Sequence, residues 1–174
     1  GGLIRFRLWT ADDLATYRAL LDDPEVWRFM HEPYPAPLTE ALARDLITLS
    51  AMDGRHMVRA VLSAGTPVGQ VRLLFGDGPS DGPSDGASDG GAGGGSAEIS
   101  YWIGRRHWGQ GHGRALLRRA TRWAFRTRPE LGRIFAHVHP DNHASARILG
   151  RADYRRVADR ADGWMTWERR REEG

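Results

Sequence analysis

Trp102-Ile103-Gly104-Arg105-Arg106-His107-Trp108-Gly109-Gln110-Gly111-His112-Gly113-Arg114-Ala115-Leu116-Leu117-Arg118-Arg119 is the stretch that decides the fold. Ahead of it, Ile99, Tyr101 and Ile103 alternate as in a strand that ends at Gly104. Gly109, Gly111 and Gly113 then space a loop. Beyond the loop, Leu117, Ala120 and Ala124 share one face of a helix, and Arg114, Arg118 and Arg122 share another. A strand, a glycine loop and a helix in that order make an anion site. Glycines let a ligand approach the backbone, and the first amides of the helix have no partner. The helix dipole adds partial positive charge there, so a diphosphate is the natural guest. The dinucleotide fingerprint needs G-x-G-x-x-G, and the nucleotide phosphate loop needs a lysine. This chain has G-x-G-x-G and no lysine, so neither fits. The competing reading is a glycine-rich turn before a surface helix, and the clustered arginines favour the phosphate.

Working outward, 174 residues are enough for one domain with a real core. The absence of cysteine excludes a disulfide scaffold, a thiolate metal site and a cysteine nucleophile. No apolar run reaches membrane-spanning length. The chain opens Gly1-Gly2, with no leader pattern before the first strand, and a cytoplasmic location is the expectation. Charge is uneven along the chain. Residues 1–96 hold 8 arginines and 13 acids, whereas residues 97–174 hold 17 and 9, within a net charge of +3. An electropositive half beside an acidic half suits an anionic cofactor and a cationic substrate, or alternatively nucleic acid.

From the N-terminus, Leu3 to Trp9 alternates as a strand, and Thr10 caps a helix from Ala11. Asp23-Pro24 breaks that helix. Trp27, Phe29 and Tyr34 flank a proline-rich turn, where they wall a substrate pocket or simply pack into the core. Thr39 caps a second helix with Leu42, Leu46 and Leu49 on one side. His56–Leu62 and Val68–Phe75 read as a hairpin. Residues 76–96 repeat Asp-Gly-Pro-Ser with nothing to bury, which reads as a flexible insertion between strands and lacks calcium-loop spacing. Arg133–His139 is a strand, Ala144–Arg151 a short helix, and Tyr154–Ala158 with Trp164–Glu168 a last hairpin. The run 169–173 reads as a solvated tail.

This order of elements resembles the GNAT acyltransferase superfamily, and within it the ribosomal-protein N-terminal alanine acetyltransferase branch. The residues that carry the resemblance are Asp12-Asp13-Leu14, Asp23-Pro24-Glu25-Val26 and Glu98-Ile99-Ser100-Tyr101-Trp102-Ile103. They continue with Trp108-Gly109-Gln110-Gly111-His112-Gly113 and Asn142-His143-Ala144-Ser145 before Tyr154. Trp108 stands where the family often has Arg or Gln, and Asp153 where a glycine is usual. The resemblance implies an α/β (α+β) fold. Its sheet has six or seven mostly antiparallel strands, a splayed central parallel pair and about four helices, in a single domain over 1–174.

It also implies acetyl-CoA as co-substrate, with no metal, and a primary amine as acceptor, with a protein N-terminus, a small polyamine and an aminoglycoside-type amine all left open. Backbone amides from Gln110 to Arg114 would hold the pyrophosphate, with Trp108, Gly109, Gly111, His112 and Gly113 completing the cradle. Arg105, Arg106, Arg114 and Arg147 are candidates for the remaining phosphate. Pantetheine would lie after Ile103 and beside Val138, bonded by Asn142, which is equally suited to capping a helix. Acyl transfer needs a neutral amine, donors for the oxyanion and a proton for the leaving thiolate. Glu98 is the candidate base. Many relatives have a tyrosine acid where this chain has Leu149, so Ser145, directly or through water, is the candidate donor. Without cysteine, direct attack in a ternary complex is expected. The rival class is a nucleic-acid-binding module using the Arg114, Arg118, Arg122, Arg126 stripe, with Trp123 or Trp108 stacking, and it ranks below the enzyme; a GNAT-like protein that binds CoA without turnover is the third reading. No membrane partner is expected, and the protein is read as a monomer or homodimer.

Overall fold

The computed structural model describes residues 3–76 and 95–172. Its elements are β1 (Ile4–Arg7), α1 (Leu14–Leu21), α2 (Pro24–Trp27), α3 (Glu40–Ser50), β2 (His56–Ser63), β3 (Thr66–Phe75) and β4 (Gly95–Ile103). They continue with α4 (His112–Thr127), β5 (Leu131–Val138), α5 (His143–Arg151), β6 (Arg155–Asp159) and β7 (Met165–Arg170). The strands form one sheet in the order β1-β2-β3-β4-β5-β7-β6. Every pairing is antiparallel except that of β4 with β5. The expected mixed sheet with a central parallel pair is therefore present. Among the described residues, four helices have eight residues or more, and α2 adds a single turn. Most of the expected insertion, residues 77–94, lies outside the described residues. Gly95 and Ser96, assigned to it from sequence, belong to β4 and pair with Leu131 and Arg133.

Strand alternation divides the core in two. Ala97 and Ile99 of β4, with Ile134, Ala136 and Val138 of β5, meet Leu116, Leu117, Ala120 and Ala124 of α4 and Leu149 of α5. On the other face, Trp102 of β4 and Val58, Ala60 and Leu62 of β2 meet Tyr17, Leu20 and Leu21 of α1 and Ala43 and Ile47 of α3. Each large aliphatic side chain so buried contributes about 1.5–3 kcal/mol. Trp9, Tyr17 and Trp102 pack as a trio with ring centroids 5.0–6.3 Å apart, and the Trp9 indole N–H donates to Gln70 Oε1 at 3.0 Å.

Several sequence expectations change here. A 3-10 turn, Ala11–Asp13, precedes α1. Asp13 accepts from the Thr10 amide at 2.9 Å and from both Arg7 amino nitrogens at 2.7 and 3.0 Å. On α3, Thr39 caps as expected, but the inward face is Ala43, Ile47 and Ser50. Leu42 and Leu49 are exposed. Leu46 is the leucine of the three that packs, half-buried, against the core formed with α1 and β2. The run after Glu168 is no solvated tail. β7 extends to Arg170, and the Arg171 guanidinium donates to the carbonyls of Leu131, Phe125 and Arg128 at 2.8–2.9 Å. Those carbonyls lie at the end of α4 and the start of β5, where a cation is favoured.

Gly69 on β3 is opposite Ile103, where β4 ends. A Cβ at Gly69 would collide with the Trp102 carbonyl oxygen and sit 2.9 Å from Ile103 Cδ1. Gly69→Ala is expected to cost about 1–3 kcal/mol, the usual penalty of overpacking. A wild-type denaturation midpoint in that variant would contradict the close approach.

Candidate active site

β4 and β5 pair only from Gly95 to Glu98 on one side and Leu131 to Phe135 on the other. Beyond Glu98 they part. β4 remains paired with β3 out to Ile103, and β5 with β7 out to Val138. Between them is a slot whose walls carry backbone N–H and C=O groups with no strand partner. Such groups need acceptors and donors from elsewhere. An extended chain with amides, inserted here, would complete the sheet as a strand does.

At one end of the slot the glycine loop turns into α4. Gly109 and Gly111 adopt φ of 73° and 81°, the left-handed region, and no protein atom lies within 4 Å of the Cβ either would carry. The first bond of the helix runs from the Ala115 amide to the Gly111 carbonyl, 3.1 Å. The amides of His112, Gly113 and Arg114 therefore have no acceptor in the helix. Trp108, half-exposed, is fixed by its indole N–H to the Ile103 carbonyl at 2.8 Å. The Gln110 side chain bridges the Arg106 carbonyl and His112. Arg105 is bound to Asp23, 2.8 Å, so it is the least suited of the four phosphate candidates. Arg106, Arg114 and Arg147 are exposed, and none makes a side-chain hydrogen bond or ion pair among the described residues.

The slot is closed on the α4 side by α5. Asn142 caps it, with Oδ1 accepting from the Ser145 amide at 3.1 Å. That leaves the Asn142 amide N–H groups without a partner among the described residues, so a second role is sterically compatible with the cap. Ser145 Oγ is 3.0 Å from Tyr101 Oη. Leu149, one turn further on, is fully buried and apolar.

The opposite face of the slot is different in character. Glu98 and Ser100 of β4 point away from α4, as do Phe135 and His137 of β5 and Thr166 and Glu168 of β7, since neighbouring residues in each strand face the α4 core. Glu98 has no ion-pair partner among the described residues, whereas Glu168 is held by Arg133 and Arg170 at 2.6 and 3.0 Å. A ring cluster lies beyond. His31 stacks on Trp164 at 3.8 Å, His139 meets Trp164 edge-on at 5.3 Å, and Phe29 lies 5.2 Å from His139. Of the three aromatic residues singled out in sequence, Phe29 joins this cluster. Trp27 donates to the Leu21 carbonyl, and Tyr34 donates to Asp22 Oδ1, so both brace the loop that carries Phe29.

Residues 4–155 match the family described as acetyltransferase (GNAT) domain. The chain belongs to the GNAT acetyltransferase family. Solved structures with the same fold include aminoglycoside acetyltransferase AAC(6')-Ib in complex with coenzyme A, at TM-score 0.73 and 20% identity, covering 97% of this chain and 95% of that one. Spermidine N-acetyltransferase from Vibrio cholerae, in complex with CoA and spermine, aligns at TM-score 0.71 and 18% identity over 96% and 95%. The GNAT domain of S. lividans PAT gives 0.71 and 21% over 96% and 89%. No curated protein matches this chain in sequence. No helix among the described residues is long and apolar enough to cross a membrane, and no three His, Asp or Glu side chains there gather as a metal site.

In this acetyltransferase the sequence reading missed His137. Its only local signal was alternation with Ile134, Ala136 and Val138, which placed it on the far face without saying what lies there. The imidazole Nδ1 is 3.0 Å from Thr166 Oγ1. Burial pushes its pKa down; the Glu98 carboxylate pulls it up, and Arg160, His31 and Arg133 push it down again. The net direction is downward, so the ring is neutral at neutral pH. The unfolded chain, with histidine near 6.5, then takes up protons that the folded one refuses. Stability present above about pH 6.5 is therefore lost as pH falls towards the folded pKa. The melting temperature is expected to fall between pH 7 and 5.5, and His137→Gln to flatten that slope. An unchanged slope in thermal melts of the variant would show that His137 is not the titrating group.

Proposed function

We propose that this protein moves an acetyl group from acetyl-CoA to a primary amine by direct attack within a ternary complex. The observation that carries the reading is the half-paired slot between β4 and β5, opening beside the free amides of α4. The residues fit the co-substrate. His112, Gly113 and Arg114 amides would bind the pyrophosphate, Arg106, Arg114 and Arg147 the other phosphate, and the slot walls with Asn142 the pantetheine amides. Pleating gives the two faces separate tasks. On the far face, Glu98 and neutral His137 are the groups able to take the amine's proton. On the α5 face, Ser145 is the donor to the departing sulfur. This chain has no cysteine to carry an acyl group.

The acceptor face favours one kind of amine. Polycations such as the spermine of the spermidine acetyltransferase complex, or the kanamycin held in another structure of the aminoglycoside enzyme, call for several free carboxylates. Here Glu168 is neutralised by two arginines and Asp162 by Arg160, and the walls are rings. A single amine on a peptide-like body fits better, in keeping with the N-terminal alanine branch. Rings and stacked imidazoles grip such a chain without needing charge.

Two expectations test this reading. Gly111→Val forces a branched residue to φ 81° and covers the helix amides. Its calorimetric acetyl-CoA affinity should fall by at least tenfold, about 1.4 kcal/mol; a folded variant with wild-type affinity would rule out the loop as the phosphate site. Glu98→Gln and Ser145→Ala should each lower kcat by about a hundredfold to ten-thousandfold while acetyl-CoA affinity holds. Turnover is read against an alanine-initiated peptide, spermidine and kanamycin. Preference for kanamycin or spermidine would overturn the peptide reading, and wild-type rates in either variant would remove that residue from the catalytic set.

A further inference from the structure

Tyr101 lies at the floor of the slot. It sits deep in the molecule and yet is partly accessible, as a residue lining a narrow cleft must be. Its ring packs beside Gly113, where a Cβ would meet Tyr101 Cε2 at 3.7 Å and Ile148 Cδ1 at 3.1 Å. Its hydroxyl reaches one partner, Ser145 Oγ, 3.0 Å away. The other buried phenol of this region, Tyr154, is differently placed. It lies in the dry core, and its hydroxyl is paired with Thr121 at 2.6 Å.

A serine hydroxyl has one proton and two lone pairs, and it rotates to suit its neighbours. With no fixed partner its proton points anywhere. Here the Ser145 amide is held by Asn142 and its oxygen by Tyr101. Burial raises the Tyr101 pKa, so the phenol keeps its proton; either hydroxyl of the pair can donate, and the phenol, the more acidic of the two, is the stronger donor. When Tyr101 donates, the Ser145 proton must turn elsewhere, and the open direction is the slot. The helix offers no substitute, because Leu149 is apolar and buried.

We propose that Tyr101 is a positioning residue whose phenol donates to Ser145 Oγ and so aims the Ser145 proton at the sulfur leaving in the slot. The proposal rests on Ser145 as the donor to that sulfur. Charge balances without moving either hydroxyl proton. The amine nitrogen bonds to the acetyl carbon, the carbon–sulfur bond breaks with its electron pair on sulfur, and the amine's proton passes to the base on the far face. Ser145 stabilises the thiolate as a hydrogen-bond donor.

A binding measurement tests this without any acceptor. Free CoA carries the thiol, and acetyl-CoA does not. If the pair stabilises thiolate, CoA affinity should rise with pH through the thiol's titration, relative to acetyl-CoA, by about tenfold, one pKa unit. Tyr101→Phe, and Tyr101→Met should Phe fail to fold, is expected to abolish most of that rise and leave acetyl-CoA affinity in place. Ser145→Ala should do the same, and the double variant no more. A variant at Tyr101 with the wild-type pH profile overturns the proposal. So does an equal loss of CoA and acetyl-CoA affinity, which is a packing effect. A flat profile in the wild type and in Ser145→Ala removes Ser145 from the sulfur, while acetyl-CoA binding still stands. Failure of the wild type to bind acetyl-CoA at all would instead sink the acetyl-transfer reading.

Discussion

The parting of β4 from β5 beyond Glu98 is the constraint on which the rest of the structure depends. Two strands in one sheet normally satisfy each other's backbone, and leaving buried amides unpaired is costly. The gap persists because each strand is clamped from its outer side. β3 holds β4 as far as Ile103, and β7 holds β5 as far as Val138. Close packing of Gly69 under the end of β4 and of Gly104 against Leu20, where a Cβ would meet Cδ2 at 2.5 Å, fixes the direction in which β4 leaves. A sheet built this way carries an empty strand position through its centre.

The period of the strand then sorts chemistry across that gap. Glu98 and Tyr101 are three residues apart on one strand, so they face opposite sides. Glu98 looks towards His137 and the ring cluster of Phe29, His31, His139 and Trp164. Tyr101 looks towards Ser145 and α5. The proposed proton acceptor and the proposed hydrogen-bond donor to sulfur therefore lie on opposite faces of the sheet.

Arginine does two jobs in this chain. Many guanidinium groups are structural. Arg7 binds Asp13, Arg133 binds Glu168, and Arg118 and Arg171 cap carbonyl groups. Exposed pairs of this kind add little stability, but they fix where positive charge cannot be used for a ligand. The groove of about 710 Å³ between α4 and the end of β7 is lined by Arg118, Arg122 and Arg126 from the helix. It takes three of the four arginines read in sequence as one stripe, and leaves Arg114 alone beside the glycine loop. Residues spaced by four drift round a helix of about 3.6 residues per turn, so a stripe continuous in sequence does not stay on one line.

The sequence by itself determined the local pieces. Glycine spacing, the Thr39 and Asn142 caps, the alternation of β4 and β5 and the arginine-rich start of α4 all act within a few residues, so they are legible without a fold. They sufficed for the GNAT family and for placing the glycine loop at the start of α4. Only the tertiary structure decided which face of α3 is inward, because Ala43 and Ile47 meet α1 and β2 there while Leu42 and Leu49 are left exposed. It also decided that Arg171 is anchored, that Trp27 and Tyr34 brace a loop, and that His137 faces Glu98. Above all it joined Tyr101 to Ser145 across 44 positions of chain. A hydrogen bond of that range has no signature in either segment, since each residue meets its partner only when strand and helix are packed together.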